Sequence, residues 1–162
     1  MRRLFEKTDD LRSEEIYLEQ GARLRPNKKR RFPAEYELFI RRTSDGARVG
    51  HCAFRVGHTE YSFFGGNIGY EIYEPFRGNH YAAKACLLLY DLARRHKMSY
   101  VLITCNPDNL ASKRTCELAG GILIATVDLP ENNDLYLRGE RQKLVFKIEL
   151  SCKSFADYMN NR

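Results

Sequence analysis

The chain has 162 residues, 43% of them hydrophobic and 30% charged, which is the balance of a globular protein with a sizeable core. No apolar run approaches the roughly 20 residues that span a bilayer. The first ten residues carry charges where a signal peptide would be apolar, so we expect a cytoplasmic protein without membrane contact. The 27 basic residues against 21 acidic ones give a formal net charge of +6, which favours an anionic partner, either a polyanionic cofactor or a nucleic acid.

The first part of the chain is predicted to be a strand meander. Residues 14–24 form an extended segment, 36–41 a strand, and 48–56 its partner across the turn Ser44-Asp45-Gly46.

The basic run 28–31 stands between two prolines. We interpret it as a solvated loop, with steering of an acidic substrate or contact with RNA as the alternatives. Because no known DNA- or RNA-binding signature accompanies it, nucleic-acid binding is the weaker hypothesis.

The most informative stretch is residues 66–86, in which a strand, a basic glycine-containing turn and a helix follow one another. The strand, 68–73, ends before Pro75, the turn spans 77–79, and the helix has apolar residues at the helical spacing 83, 86, 87 and 90. The first N–H groups of a helix have no internal partner and its dipole favours an anion, so this order can bind phosphate. Plain structural turns share the same order, and the residues alone leave both interpretations open.

The remaining chain is predicted to alternate strands and helices. The apolar run 100–105 is typical of a strand buried on both faces. Asn109 suits the N-cap of a helix that ends before Gly120 or Gly121, and 122–127 and 144–150 are two further strands. This order predicts a mixed α/β fold, with a central, mostly antiparallel sheet of six to seven strands and helices on both faces. We expect one domain over residues 1–150, followed by a C-terminal tail, 151–162, that is either a short helix or disordered.

The cysteines and histidines show no ligand spacing. The five cysteines are scattered and odd in number, without a C-x-x-C pair, which indicates reduced thiols buried as small hydrophobes. The four histidines have no H-x-x-x-H spacing. We therefore predict neither a disulfide framework nor a metal site.

Two segments resemble the GCN5-related N-acetyltransferase (GNAT) superfamily. Residues 77–82, Arg-Gly-Asn-His-Tyr-Ala, are similar to its acyl-CoA motif Q/R-x-x-G-x-G/A, with His80 at a position where the family usually has glycine. Residues 106–112 and 116–121 resemble the family's later strand–helix unit, which begins N-x-x-N or N-x-x-S and ends at a glycine. The resemblance implies the GNAT fold. The family's N-terminal helices, which build its acceptor side, are poorly marked in residues 24–35.

The resemblance implies an acetyl-CoA-dependent N-acetyltransferase, nearest to the branch of ribosomal-protein N-terminal and small-amine acetyltransferases. Acetyl-CoA is then the cosubstrate, and the acetyl group passes directly to a primary amine, of a small molecule or a protein N-terminus, in a ternary complex. On this mechanism the backbone of Glu71, Ile72 and Tyr73 pairs with the pantetheine arm. The diphosphate is held by the turn and the start of the helix, comprising Arg77, Gly78, Asn79, His80, Tyr81 and Ala82. The cofactor's other side is lined by Asn106, Asn109 and Ser112, and a helix cap is the alternative role of Asn109.

Two residues are candidates for proton transfer. Glu71 lies on the strand that carries the base in some family members, and its alternative is an ordinary strand residue paired to Arg or Lys. Tyr70 and His51 are weaker candidates for the base. Cys116 stands where many relatives have a tyrosine acid, and it either donates a proton to the CoA thiolate or only packs.

The sequence leaves the amine, the acyl-chain preference and the oligomeric state open, with a homodimer as one option. Segment 131–141 is long for a hairpin connection and is a candidate for acceptor recognition. Two other functions remain as alternatives to an active enzyme. One is a catalytically silent acyl-CoA-binding module, suggested by Cys116, and the other is a basic RNA- or ribosome-associated protein, suggested by residues 28–31.

Overall fold

The computed structural model describes residues 3–150, so the predicted tail, 151–162, lies outside the described residues. Four strands form one antiparallel ladder in the order β1-β2-β3-β4: β1 Ile16–Leu24, β2 Glu35–Arg42, β3 Arg48–Arg55 and β4 Ile68–Ile72. Three strands form a second antiparallel ladder in the order β5-β7-β6: β5 Tyr100–Cys105, β6 Ile122–Asp128 and β7 Gln142–Glu149. The helices are α1 Glu60–Gly65, α2 Tyr81–Arg95, α3 Leu110–Leu118 and α4 Asp134–Leu137. The predicted α/β fold is confirmed, with seven strands in two ladders.

The two ladders meet at Asn67, directly before β4. Its backbone N–H donates to the carbonyl of Leu102 on β5 at 2.7 Å, and its Oδ1 accepts from the Leu102 N–H at 2.8 Å. Its Nδ2 donates to the carbonyls of Arg55 and Gly57. The side chain is fully buried, and its polar atoms have partners. One edge of β4 pairs with β3. From Gly69 onward its other edge pairs with no strand among the described residues, so a gap separates β4 from β5.

The inner face of the first ladder builds the core with helix α2. Alternating residues of β2 and β3 are buried on this face, among them Tyr36, Leu38, Cys52 and Phe54. Helix α2 is buried on more of its circumference than its predicted stripe suggests, because it also contacts α3. The Tyr90 hydroxyl, for example, donates to the carbonyl of Ala119 at 2.6 Å.

The outer face of the first ladder has little cover. Residues 3–59 contain no helix, as the weak helical signal of residues 24–35 predicts, and the side chains of Glu37, His51 and Glu71 are exposed on this face. The loop with the basic run 28–31 is also exposed, which agrees with its interpretation as a solvated loop. Within the described part of the chain, no helix has the length and apolar character needed to cross a membrane.

Two short helices were not predicted. Helix α1 has six residues, and Thr59 begins it with a capping box: its side chain accepts from the Ser62 N–H, and Ser62 accepts from the Thr59 N–H. Helix α4 has four residues and follows Asn133, whose side chain caps it. It occupies the middle of segment 131–141. Neither helix is long enough to show a helical period.

Candidate active site

The predicted turn connects β4 to α2 and presents free backbone donors. After a 3₁₀ turn, Glu74–Phe76, the chain passes through Gly78 at φ +91° and enters α2 at Tyr81. Six consecutive N–H groups, those of residues 78–83, have no acceptor among the described residues. Because these donors surround the N-terminus of a 15-residue helix, the turn forms an anion-binding concavity.

His80 takes a left-handed backbone conformation, which glycine adopts without steric cost. It stands at the N-cap of α2 with φ 58° and ψ 28°, in the left-handed region, and its imidazole makes no capping hydrogen bond. Histidine is among the non-glycine residues enriched in this region. A histidine can therefore hold this left-handed position in the turn, and its ring is exposed.

Arg77 is held at the mouth of the turn by the end of the strand. Its Nε donates to the carbonyl of Ile72 at 3.0 Å, which leaves the rest of the guanidinium exposed. Asn79 makes a second local bond, from Nδ2 to the carbonyl of Phe76 at 3.0 Å. These two side chains fix the turn and add a formal positive charge where the free N–H groups converge.

The turn forms one wall of a cleft of about 430 Å³. Ten of the twelve predicted cofactor residues line it: Glu71, Ile72, Arg77, Gly78, Asn79, His80, Tyr81, Ala82, Asn109 and Ser112. Tyr73 and Asn106 are not among the lining residues. Six further residues line the cleft and were not predicted to contact the cofactor: Tyr70, Phe76, Ala111, Arg114, Thr115 and Leu118.

Four of those six residues were detectable from the sequence. Ala111, Arg114, Thr115 and Leu118 fall at i, i+3, i+4 and i+7, which places them on one face of α3. The predicted N-cap, Asn109, already defines where that helix begins. Arg114 adds a second cation to the cleft, at 3.7 Å from the carboxylate of Glu117 and largely exposed.

Asn109 caps α3 and also lines the cleft. Its Oδ1 accepts from the Ser112 N–H at 3.0 Å, which is the N-cap bond of α3, and it also lines the cleft. Asn106 stands behind it, directly after β5, and its Oδ1 is buried without a hydrogen-bond donor among the described residues. The cap role of Asn109 is therefore confirmed, and its cofactor role and that of Asn106 stay predictions.

The open edge of β4 faces the gap. Glu71 and Tyr73 direct their backbone groups toward β3, since they pair with His51 and with the carbonyl of Val49. The alternation of a strand therefore directs the backbone groups of Tyr70 and Ile72 to the other edge. The Ile72 carbonyl already accepts from Arg77. The groups left to pair with an added strand are therefore the N–H and carbonyl of Tyr70 and the N–H of Ile72.

Tyr70 is the centre of a buried polar group between β4 and α3. Its hydroxyl is hydrogen-bonded to Ser112 Oγ at 2.8 Å and lies 3.8 Å from Cys116 Sγ. Burial raises the pKa of Tyr70, and burial, with neighbouring Cys105, raises the pKa of Cys116 to about 12. Both groups therefore keep their protons at neutral pH. Cys116 is fully buried and does not line the cleft, whereas Tyr70 does.

Glu71 lies on the opposite face of β4 from Tyr70, because side chains alternate along a strand. Its carboxylate is exposed, and Oε2 lies 3.6 Å from His51 Nε2. The Tyr73 hydroxyl lies 3.5 Å from the other ring nitrogen of His51. The partner of Glu71 is thus a histidine rather than the Arg or Lys considered in the sequence analysis.

A second cavity, which the sequence did not predict, adjoins the cleft. It has a volume of about 230 Å³ and shares the lining residues Tyr70 and Ser112 with the cleft, so these two form a common wall. We call it the Arg138 cavity. Its lining comprises Arg55, Tyr61, Gly65, Ile68, Gly69, Tyr70, Thr104, Ser112, Leu135, Arg138 and Lys143. Both ladders, α1 and the C-terminal end of α4 contribute to it.

The described cysteines are free and buried, as predicted: Cys52, Cys86, Cys105 and Cys116. Burial raises the pKa of each of these thiols, and that of Cys52 to about 12. Across residues 3–150, no group of three or more His, Cys, Asp or Glu side chains is arranged to hold a metal ion.

The two-ladder α/β fold places free backbone N–H donors beside a gap between strands, an arrangement suited to an anionic ligand. The family profile described as "Acetyltransferase (GNAT) domain" matches residues 2–122. This chain belongs to the GNAT acetyltransferase domain family. No curated protein matches the sequence.

Solved structures share the fold at low sequence identity. A GNAT-family acetyltransferase from Bacillus anthracis has a TM-score of 0.57 at 17% identity, with 72% of this chain and 67% of that one covered. The ribosomal-protein-S5-alanine acetyltransferase from Vibrio fischeri has a TM-score of 0.57 at 13% identity, with 74% and 64% covered. The microcin C7 self-immunity acetyltransferase MccE, solved with acetyl-CoA and AMP, has a TM-score of 0.56 at 20% identity, with 71% and 61% covered. The chain thus spans about two thirds of the length of these proteins.

Proposed function

We propose that this protein is a cytoplasmic, acetyl-CoA-dependent N-acetyltransferase that transfers an acetyl group directly to a primary amine, of a small molecule or a protein N-terminus. The main support for the proposal is the cleft. Its lining includes the turn with six free N–H groups and two arginines, and it lies beside the open edge of β4. Membership of the GNAT family supports the same cofactor. The V. fischeri and microcin structures are named as acetyltransferases, and one of them holds acetyl-CoA.

The residues present fit the cofactor. The N–H groups of residues 78–83 are unpaired donors suited to a diphosphate, and Arg77 and Arg114 supply charge beside them. The free backbone groups of Tyr70 and Ile72 suit an amide-containing arm laid along β4 as an added strand. The cofactor supplies an activated acetyl thioester, and the chain supplies its binding and the proton transfers.

For the proton transfers, we assign the donor role to Tyr70, supported by Cys116. Tyr70 lines the cleft and its hydroxyl stays protonated, so it is our candidate to donate to a leaving thiolate there. Cys116, the acid predicted from the resemblance, lies behind Tyr70 at 3.8 Å and would act through it. Glu71 stays the predicted base. It is exposed on the outer face of β4 and lines the cofactor cleft, where its carboxylate can accept a proton directly or through water.

The experiment that tests the proposal is a calorimetric titration of the protein with acetyl-CoA, using a charge pair at Asn79. Asn79→Asp and Asn79→Ala both remove the bond to Phe76, and only the aspartate adds a negative charge to the concavity. We expect micromolar binding by the wild type, a small loss in the alanine variant and a loss of about tenfold or more in the aspartate variant. Arg77→Ala should also weaken binding clearly.

The folding of Asn79→Asp is not at risk from its charge, because an acid near a helix N-terminus stabilises the helix. Equal binding by the two Asn79 variants would show that no phosphate lies in the turn. No binding by the folded wild type would refute the cofactor assignment. In that case the RNA hypothesis moves forward, and salt-dependent RNA binding would support it.

Turnover separates an enzyme from a silent acyl-CoA-binding module. The silent module was suggested by the cysteine at position 116, and the tyrosine hydroxyl beside it supports an active site instead. Release of free CoA in the presence of any amine would exclude the silent module.

A homodimer is supported by strand β6, at one edge of the second ladder. Ile122, Leu123 and Ile124 are 70%, 47% and 51% exposed there. An apolar edge strand of this kind tends to pair with another chain. Light scattering on the purified protein measures the mass directly, and a monomer at all concentrations would exclude this proposal.

A further inference from the structure

The Arg138 cavity has basic walls. Three of its lining residues, Arg55, Arg138 and Lys143, carry positive charge, and none of its lining residues is acidic. Polar but uncharged groups come from Tyr61, Tyr70, Thr104 and Ser112. A cavity of this composition favours an anion.

Two of the three cations are already paired. Arg55 Nε donates to Glu35 at 2.8 Å and Nη1 donates to the carbonyls of Gly65 and Gly66, and Lys143 is ion-paired with Glu140. Both side chains are largely buried. They fix the walls and leave little unpaired charge.

Arg138 is different, since its guanidinium has no acceptor among the described residues. It stands at the C-cap of α4, inside the segment that the sequence analysis assigned to acceptor recognition. It also lines an adjoining outer cavity of about 240 Å³, whose lining includes Arg30, Arg31, Glu60 and Asp134. The lining of the outer cavity thus has mixed charge, whereas that of the Arg138 cavity contains no acidic residue.

We propose that the acceptor carries an anionic group, a carboxylate or a phosphate, close to its amine, and that Arg138 binds this group in the Arg138 cavity. This inference rests on the proposed acetyltransferase activity. The cavity shares the Tyr70–Ser112 wall with the cofactor cleft, so an acceptor held by its anion presents the amine toward that wall. The volume of about 230 Å³ suits a small polar head.

The charges also discriminate against simple cationic amines. An ammonium without an anionic neighbour meets the unpaired guanidinium of Arg138 and gains no carboxylate partner in the lining. An acceptor with an anion offsets the charge of Arg138. The same charge therefore selects the anionic acceptor.

The test compares matched pairs of acceptors. L-phenylalanine is paired with phenylalaninamide and O-phosphoethanolamine with ethanolamine, and acetyl transfer is followed by release of free CoA from acetyl-CoA. A charged hydrogen bond of this kind corresponds to about a 10- to 100-fold preference in kcat/KM for the anionic member. The first pair tests a carboxylate and the second tests a phosphate.

Variants assign the preference to one side chain. Arg138→Gln should abolish the preference, Arg138→Lys should restore part of it, and Arg141→Gln should leave it unchanged, because Arg141 lies outside the cavity and packs on Tyr136. The Kd for acetyl-CoA should be the same in all four proteins, since none of these changes touches the cleft.

Outcomes for the cofactor and for the acceptor are separable. If acetyl-CoA does not bind, the proposed function fails. If it binds and the neutral amines react as well as the anionic ones, or the preference survives in Arg138→Gln, the acceptor inference is overturned.

If no amine of the four reacts, the acetyl-CoA complex is titrated with inorganic phosphate and with acetate. Binding that Arg138→Gln abolishes and Arg141→Gln retains would support the inference, and equal behaviour of the two variants would overturn it.

Discussion

Tyr70 lies between the core, helix α3 and two cavities. Its ring packs against the core, and its hydroxyl is hydrogen-bonded to Ser112 on α3. The residue lines both the cofactor cleft and the Arg138 cavity. Because burial raises its pKa, the hydroxyl stays protonated at neutral pH and is available as a hydrogen-bond donor. The acid that the resemblance places on the helix is here a thiol, and the strand supplies a phenol within contact of it.

Tyr70→Phe retains the ring and removes the donor. We expect kcat to fall about 100-fold or more, with little change in the Kd for acetyl-CoA, because general acid catalysis is lost and the cleft keeps its shape. Cys116→Ser, which keeps the side chain's size, should change kcat much less. Steady-state kinetics and calorimetry on the two variants check both statements. The reverse order of effects would assign the proton to Cys116 and make Tyr70 a packing residue.

At the scale of elements, the start of α2 depends on a residue in an unfavourable conformation. His80 stands in the left-handed region, which costs an L-residue about 1 kcal/mol and a β-branched residue more. The six free N–H groups depend on this conformation, since it directs the chain from Gly78 into the helix.

Replacement of His80 tests the conformation directly. Relative to His80→Gly, we expect His80→Val to lower the free energy of unfolding by about 1–2 kcal/mol, because valine resists a positive φ. Urea denaturation measures the difference. His80→Gly should also bind acetyl-CoA about as well as the wild type, since the exposed imidazole makes no capping bond. Equal stability of the valine and glycine variants would contradict the assigned backbone conformation.

The longer elements were predictable because their patterns are local. Strand β5 matches its predicted residues, because a short apolar run bounded by polar residues is typical of a buried strand. Asn109 identifies the start of α3, because its side chain caps the helix. Residues 77–82 were identified from a contiguous motif, and all six of them line the cleft. Helices α1 and α4 were missed because six and four residues are too few to show a period.

The Arg138 cavity was missed for a reason at the scale of the whole molecule. Its walls come from β3, α1, β4, β5, α3, α4 and β7, so no window of the sequence contains its pattern. The cations that line it are also scattered among the chain's 27 basic residues. Their convergence follows from the meeting of the two ladders, which a buried asparagine controls.

Asn67 is the residue on which that meeting depends. Asn67→Ala would remove three side-chain hydrogen bonds, one with the buried Leu102 N–H and two with the carbonyls of Arg55 and Gly57. We expect the free energy of unfolding to fall by about 3 kcal/mol or more. Urea denaturation checks this, with Asn132→Ala as the control at an exposed asparagine. The variant should also bind acetyl-CoA more weakly, since β4 and β5 lose their common anchor.

A loss below about 1 kcal/mol in Asn67→Ala, comparable with an exposed site, would show that the ladders hold together without this side chain.

The wall that Tyr70 and Ser112 form between two cavities has a consequence for inhibitor design. A compound that joins the sulfur of CoA to an anionic amine through a short linker would occupy both cavities at once. Its second half would then bind at a high effective concentration, and its affinity would exceed that of either half alone. Such a bisubstrate ligand would also reveal the length of the path across the wall, because affinity is greatest when the linker matches that path.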